Sequence, residues 1–129
     1  MKYVSRKDWG AKPPPKGKFD KLNKVRVQGV VIHHSGVQNG PKGSDAVKAF
    51  ERHHMGKGWD GIGYNWLVDE SGTIFEGRGW DNRGAGTKGW NSRSISVCFT
   101  GWGFDKPHDN ALRSLQTVVD AAESHFGKG

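Results

Sequence analysis

Apolar residues fall along this chain in two rhythms. In one they run together or alternate, as strands do; in the other they return every three or four positions, as helices do. The first clear run is Gly29-Val30-Val31-Ile32-His33-His34-Ser35-Gly36, where β-branched residues follow a glycine and lead to a pair of histidines. A short uninterrupted run of this kind predicts a strand over 27–34, buried in a sheet that is covered on both faces. A helix is predicted over 45–55, where Val47, Phe50 and His54 share a face. Ser44 is placed to cap its start, Asp45 suits its first turn, and Gly56 and Gly58 end it. Residues 59–68 lead into a second strand, Glu70-Ser71-Gly72 turns the chain, and 73–76 return as a third, together a hairpin. In 93–100, Ile95, Val97 and Phe99 alternate with Ser94, Ser96 and Cys98 and predict a fourth strand. Asp109 can cap a last helix running to about Phe126, with Leu112, Leu115, Val118 or Val119, and Ala122 as its apolar stripe.

Strands interleaved with helices predict an α/β fold: one domain over 1–129 with a central mixed β-sheet flanked by helices. A chain of 129 residues can bury a core without disulfides or a structural metal. Residues 1–26 form a basic segment punctuated by Pro13-Pro14-Pro15, expected to run extended as a solvated arm that Trp9 anchors to the body. Residues 37–43 read as a glycine-rich loop with Pro41, and 101–107 as a turn. Residues 77–90 hold five glycines and two tryptophans and form a long loop, a length that in a compact domain usually serves function.

Charge and composition then narrow the partners. Lys plus Arg number 20 against 13 Asp plus Glu, a net +7 that draws the protein to polyanions: nucleic acid, an anionic membrane, or a bacterial wall carrying anionic polymers. The basic residues are scattered and no helix concentrates them on one face, so nucleic acid is not the expected partner. The 20 glycines allow close backbone approaches, and six tryptophans are an excess of the side chains often used to grip ligands. Cys98 is the only cysteine, so no internal disulfide forms. No apolar run is long enough to span a membrane, and the first residues lack the apolar region of a signal peptide.

His33 and His34 sit at the end of a strand, a rigid support suited to a metal ligand or an acid–base group, although a hydrogen-bonded structural histidine is equally at home there. Neighbours on a strand face opposite ways, so the two should not serve the same metal.

The chain resembles the peptidoglycan recognition proteins, relatives of the phage-lysozyme-type N-acetylmuramoyl-L-alanine amidases. The resemblance rests on Ser5-Arg6-Lys7-Asp8-Trp9-Gly10-Ala11, on Val31-Ile32-His33-His34-Ser35-Gly36, and on Arg52-His53-His54-Met55 followed by Asp60-Gly61-Ile62-Gly63-Tyr64-Asn65-Trp66-Leu67-Val68. Gly72-Thr73-Ile74-Phe75-Glu76-Gly77-Arg78-Gly79-Trp80 and Asn91-Ser92-Arg93-Ser94-Ile95-Ser96-Val97 complete it in the family's order. It implies a zinc amidase that cuts the bond between the lactyl group of muramic acid and L-alanine, with bacterial peptidoglycan and its muramyl peptides as partner. By position, His33 matches the first zinc ligand and Tyr64 the catalytic tyrosine. His54 and Lys57 match positions lining the peptide groove, and Arg78, Trp80 and Asn91 border it. Arg78 could pair with a stem-peptide carboxylate and Trp80 could stack on a sugar, and His34 takes a substrate or supporting role. In active members the other zinc ligands, a His and then a Cys or Asp, follow the last long helix, beyond Gly129. Cys98, inside a strand, is expected to be a packed thiol rather than their replacement. The expectation is a peptidoglycan-binding domain with amidase chemistry in its complete form; the alternative is an inactive binding module. Without a signal region or disulfides, the chain suits a phage lysin made in the cytosol, or a mature secreted form.

Overall fold

The structure is a computed structural model, and it describes residues 1–35, 41–101 and 109–127. The elements are α1 (Arg6–Trp9), a 3-10 turn (Lys24–Arg26), β1 (Gly29–His34), α2 (Gly43–Gly56), β2 (Trp66–Val68), β3 (Ile74–Glu76), β4 (Ser94–Phe99) and α3 (Asp109–Phe126). The four strands form one sheet in the order β1-β4-β2-β3. β4 runs parallel to β1 and to β2, and β3 closes the sheet as the antiparallel arm of the expected hairpin.

The strand order corrects two expectations. β4, whose alternating pattern suggested one wet face, is buried along all six residues, because it lies between two strands and under helices on both sides. β1, whose continuous apolar run suggested full burial, is the edge strand: Ile32 is 51% exposed and Val30 and Val31 are half-buried. Among the described residues only β4 pairs with it.

The alternation in β4 does sort the two layers. In a parallel pair, residues in register share a face, so Ile95, Val97 and Phe99 look one way with Trp66 and Val68, while Cys98 looks the other way with Leu67. The first face packs Ala111, Leu115 and Val118 of α3. The second packs Val47 of α2 together with Ile62, Phe75 and Trp9. α3 matches its expected span, but Leu112 is 47% exposed and Ala111 takes its place in the stripe. α2 begins earlier than expected: Lys42 is its N-cap, with no side-chain bond, and Ser44 lies inside the helix. Of 59–68 only Trp66–Val68 is strand; the residues before it are loop. Residues 36–40, most of the loop read at 37–43, and all but Gly101 of the turn at 101–107 lie outside the described residues.

The N-terminal segment keeps its lysines in solvent, and it is tied to the body at more points than Trp9 alone. Val4 bridges to Phe75, Ser5 caps α1 by accepting from Asp8 N, and Trp9 is 1% exposed with its Nε1–H donating to Glu76 O at 2.7 Å. Lys12 N–H donates to the buried Glu51 carboxylate, and Phe19 and Leu22 are buried further along. The segment is a belt laid around the sheet, with Trp9 as its anchor.

Candidate functional site

The α2 face of the sheet carries a cleft of about 620 Å³ that opens past the ends of β1 and β4. Its walls include His34, Phe50, His53, His54, Lys57, Trp59 and Tyr64. Small residues on its walls, Ala46 and Ala49 of α2, leave this room. Gly86 adds to it, since a Cβ there would stand 2.9 Å from the Tyr64 ring.

Tyr64 is held from three sides. Its ring lies 5.7 Å from His33 and 5.5 Å from His54, and its hydroxyl meets the buried Cys98 thiol. Burial, reinforced by Cys98, raises the phenol well above its ordinary value, so it keeps its proton and acts as a donor. Burial pushes the Cys98 thiol up to about 12. The thiol is 0% exposed and donates to Phe99 O, the packed thiol expected from the sequence.

His33 faces the α2 side in register with Cys98, and His34 is in register with Phe99 on the α3 side. His34 nevertheless reaches the rim of the cleft because the strand ends there. His33 Nε2 stands 2.8 Å from Thr87 Oγ1, which is itself 3.0 Å from Ser96 Oγ. Thr87 is held in turn by its N–H, which donates to Asn91 Oδ1 at 2.9 Å. Burial lowers His33, so its ring is neutral at pH 7 and Nδ1 is the nitrogen left for a metal.

His54 is 5% exposed, and its Nδ1 accepts from Gly63 N–H at 2.9 Å. That bond places the ring proton on Nε2. Burial, with help from His53, Lys57 and Arg78, lowers its pKa to about 4. The unfolded chain therefore takes up a proton near pH 6.5 that the folded chain refuses until about pH 4. Stability should fall as pH drops through that window, by about 3 kcal/mol at full extent. Denaturant midpoints at pH 7.5 and 4.5 measure it. In His54→Gln, whose amide oxygen can still accept from Gly63, the gap between the two should shrink by most of that amount.

The other expected site residues are divided among separate places. Lys57 is in the main cleft, its ammonium 4.5 Å from the Trp59 ring centre. Arg78 and Asn91 line a second cavity of about 270 Å³ that shares Trp59 with the first and also holds Asp20, Asp60 and Arg83. Arg78 is 6% exposed, with Nε donating to Ile62 O, Nη1 donating to Arg83 O, and its guanidinium over Phe19. Trp80 is elsewhere. It packs on Trp66 and stacks on His125 of α3 at 5.6 Å, away from Tyr64. Sequence reasoning missed Thr87, which no local pattern marks out within its glycine-rich loop. It also missed Asn65, a polar residue at the head of an apolar strand, and that contrast was a usable signal.

The described residues do not fit a zinc site. They contain no group of three His, Cys, Asp or Glu placed to hold a metal ion. His33 is the one ligand the sequence offered, and Cys98 is committed to Tyr64 and Phe99.

Comparison with known proteins then settles the family. The family model described as N-acetylmuramoyl-L-alanine amidase matches residues 23–128. The chain belongs to the N-acetylmuramoyl-L-alanine amidase family. Among its relatives, the peptidoglycan-recognition protein SC2 of Drosophila simulans is 34% identical over 119 residues, covering 90% of this chain and 61% of that protein. The human N-acetylmuramoyl-L-alanine amidase is 31% identical over 126 residues, covering 92% of this chain and 22% of that protein. The fold matches that of PGRP-Hd from Alvinella pompejana with a TM-score of 0.86 at 28% identity, over 98% of this chain and 80% of that one. It matches peptidoglycan recognition protein LE, solved with tracheal cytotoxin, a monomeric diaminopimelic acid-type peptidoglycan, with a TM-score of 0.85 at 29% identity, over 95% of this chain and 74% of that one. The chain spans 52% to 65% of the length of the first curated relatives it matches. No described helix is long and apolar enough to cross a membrane.

Proposed function

We propose that the chain binds bacterial peptidoglycan, receiving a muramyl peptide in the cleft of His34, His54, Lys57, Trp59 and Tyr64, and that the protein hydrolyses the amide between muramic acid and L-alanine. The observation that carries this reading is the cleft itself: a protonated phenol, a neutral imidazole and an ammonium line one recess beside an exposed-edged strand. A stem peptide offers what those groups bind, namely amide carbonyls and carboxylates. Lys57 can meet a carboxylate, and the Arg78 cavity beyond Trp59 can take a second one. The Tyr64 O–H can swing from the Cys98 sulfur to the oxygen that gains charge when an amide carbonyl is attacked.

Zinc enters this proposal only through His33. Further ligands would have to come from outside the described residues, so no step is assigned to the metal here. The bond His33 Nε2 already makes with Thr87 Oγ1 favours a second reading, a module that binds muramyl peptides without cutting them.

Titration of the protein with a muramyl pentapeptide, followed by incubation with and without zinc and a chelator, tests both. Binding together with release of the L-alanine amine, lost to the chelator, supports the amidase. Binding with no release under any metal condition leaves the module, and absence of binding sinks both. In Tyr64→Phe we expect affinity to change less than about threefold, while any amine release falls about a hundredfold.

A further inference from the structure

The net charge of this protein is not spread over it. Residues 1–28 hold nine Lys and Arg against two Asp, a net +7, and the remaining 101 residues hold eleven of each sign and are neutral. The cations that look scattered along the sequence are thus confined, as an excess, to the belt. Eight of the nine belt cations are exposed, and Arg6 is the ninth, half-buried.

The belt is also fixed in place. Trp9, Phe19 and Leu22 are buried. Arg6 donates to Gly77 O and Lys12 O, Leu22 N–H donates to Asp81 O, and Gln28 N–H donates to Arg93 O. Cations carried on a backbone already held in place bind a polyanion at a lower ordering cost than those of a mobile tail. The belt reaches the site as well: Asp20 lines the cavity of Arg78, Arg83 N–H donates to Asp20 O, and Lys16 bridges Asp20 and Asp60.

We propose that this belt is a docking surface for a phosphodiester polymer of the bacterial cell wall, distinct from the cleft that takes the peptide. Chemistry favours this occupant over nucleic acid. Single strands are held by exposed aromatic rings on which successive bases stack, whereas Trp9 and Phe19 of the belt face the core and its one exposed ring, Tyr3, stands edge-on against Trp66 at 5.0 Å. A polymer of glycerol and phosphate needs only the cations. The choice of a wall polymer rests on the peptidoglycan reading above, but binding to it does not, and the probe below contains no peptidoglycan.

The test measures binding of poly(glycerol phosphate), and of single-stranded DNA with the same number of phosphates, between 50 and 200 mM salt. Three proteins are compared: wild type, the belt triple Lys7→Gln/Lys18→Gln/Lys24→Gln, and a control triple Lys42→Gln/Arg52→Gln/Arg113→Gln that removes the same charge from α2, its cap and α3. All six side chains are exposed, and thermal melts confirm folding. The belt triple should lose about tenfold or more in affinity for the polymer at 50 mM salt, and its log–log salt slope should fall by about two. The control triple should stay within about twofold, and a Lys→Arg version of the belt triple should bind as wild type. Equal losses in the two triples would overturn the proposal in favour of net charge alone. No binding of the polymer, or tighter binding of the DNA, would also overturn it. If the polymer binds and the muramyl peptide does not, the peptide cleft falls and the belt stands.

Discussion

Replacing Asn65 with Ala should destabilise the protein by about 4 kcal/mol, because it strips partners from two buried backbone groups and a half-buried one at once. The Asn65 side chain is 0% exposed. Its Nδ2 donates to Gly79 O at 2.9 Å and to Asn82 O at 2.8 Å, and its Oδ1 accepts from Ser96 N–H at 2.9 Å. One amide thus ties the central strand β4 to the long loop that carries Arg78 and Arg83. The loop glycines fit around it, since a Cβ at Gly84 would stand 2.9 Å from Asn65 Oδ1 and one at Gly77 only 2.1 Å from Tyr64 O. Urea unfolding of Asn65→Ala should show the lost stability as a lower midpoint. Amide exchange should show loop protection falling further than that of β4. Asn65→Asp should not rescue it: a carboxylate can accept from Ser96, but its second oxygen would face two carbonyl oxygens. A midpoint within about 0.5 kcal/mol of wild type would show that the loop holds itself.

Trp9→Ala should cost about the same, about 4 kcal/mol, through a different mechanism. The ring is 1% exposed and packs with Val47, Ile62, Leu67 and Phe75, and its indole N–H satisfies Glu76 O. Its loss opens a cavity on the α2 face and breaks the bond that ties α1 to β3. The belt then keeps Phe19 and Leu22 but loses its first anchor. Residues 12–18, a run of Lys, Pro and Gly, should become the earliest site of limited proteolysis. The melting temperature should drop by roughly 15 °C. An unchanged proteolysis pattern would mean that the backbone bonds of Val4 and Lys12 hold the belt without the indole.

The two variants mark where sequence reading succeeded and where it stopped. Trp9 was legible as an anchor, since a large indole in a polar, basic segment has little reason to stay in water. The hairpin, the long loop and α3 were legible from alternation, turn residues and three- to four-residue spacing. So was Cys98 as a packed thiol. The places of β1 and β4 were not. A run of valine and isoleucine says that a strand is apolar, but strand order decides how many neighbours it has. Here β4 took the centre and β1 the edge.

The candidate site divides along the same line. The residue types for the chemistry could be read from the chain: two histidines on a strand end, and a tyrosine after a glycine-rich approach. By itself the sequence determined which side chains exist, their periodicity and the excess of positive charge, because those are properties of the chain alone. Only the tertiary structure decided that His54 and Tyr64 share one recess with the His33 ring beside Tyr64, that Trp80 serves α3 instead, and that Thr87 holds His33. The belt's course around the sheet was decided there too. Such pairings join positions tens of residues apart, and burial, strand register and hydrogen-bond satisfaction select them only when the whole core packs at once.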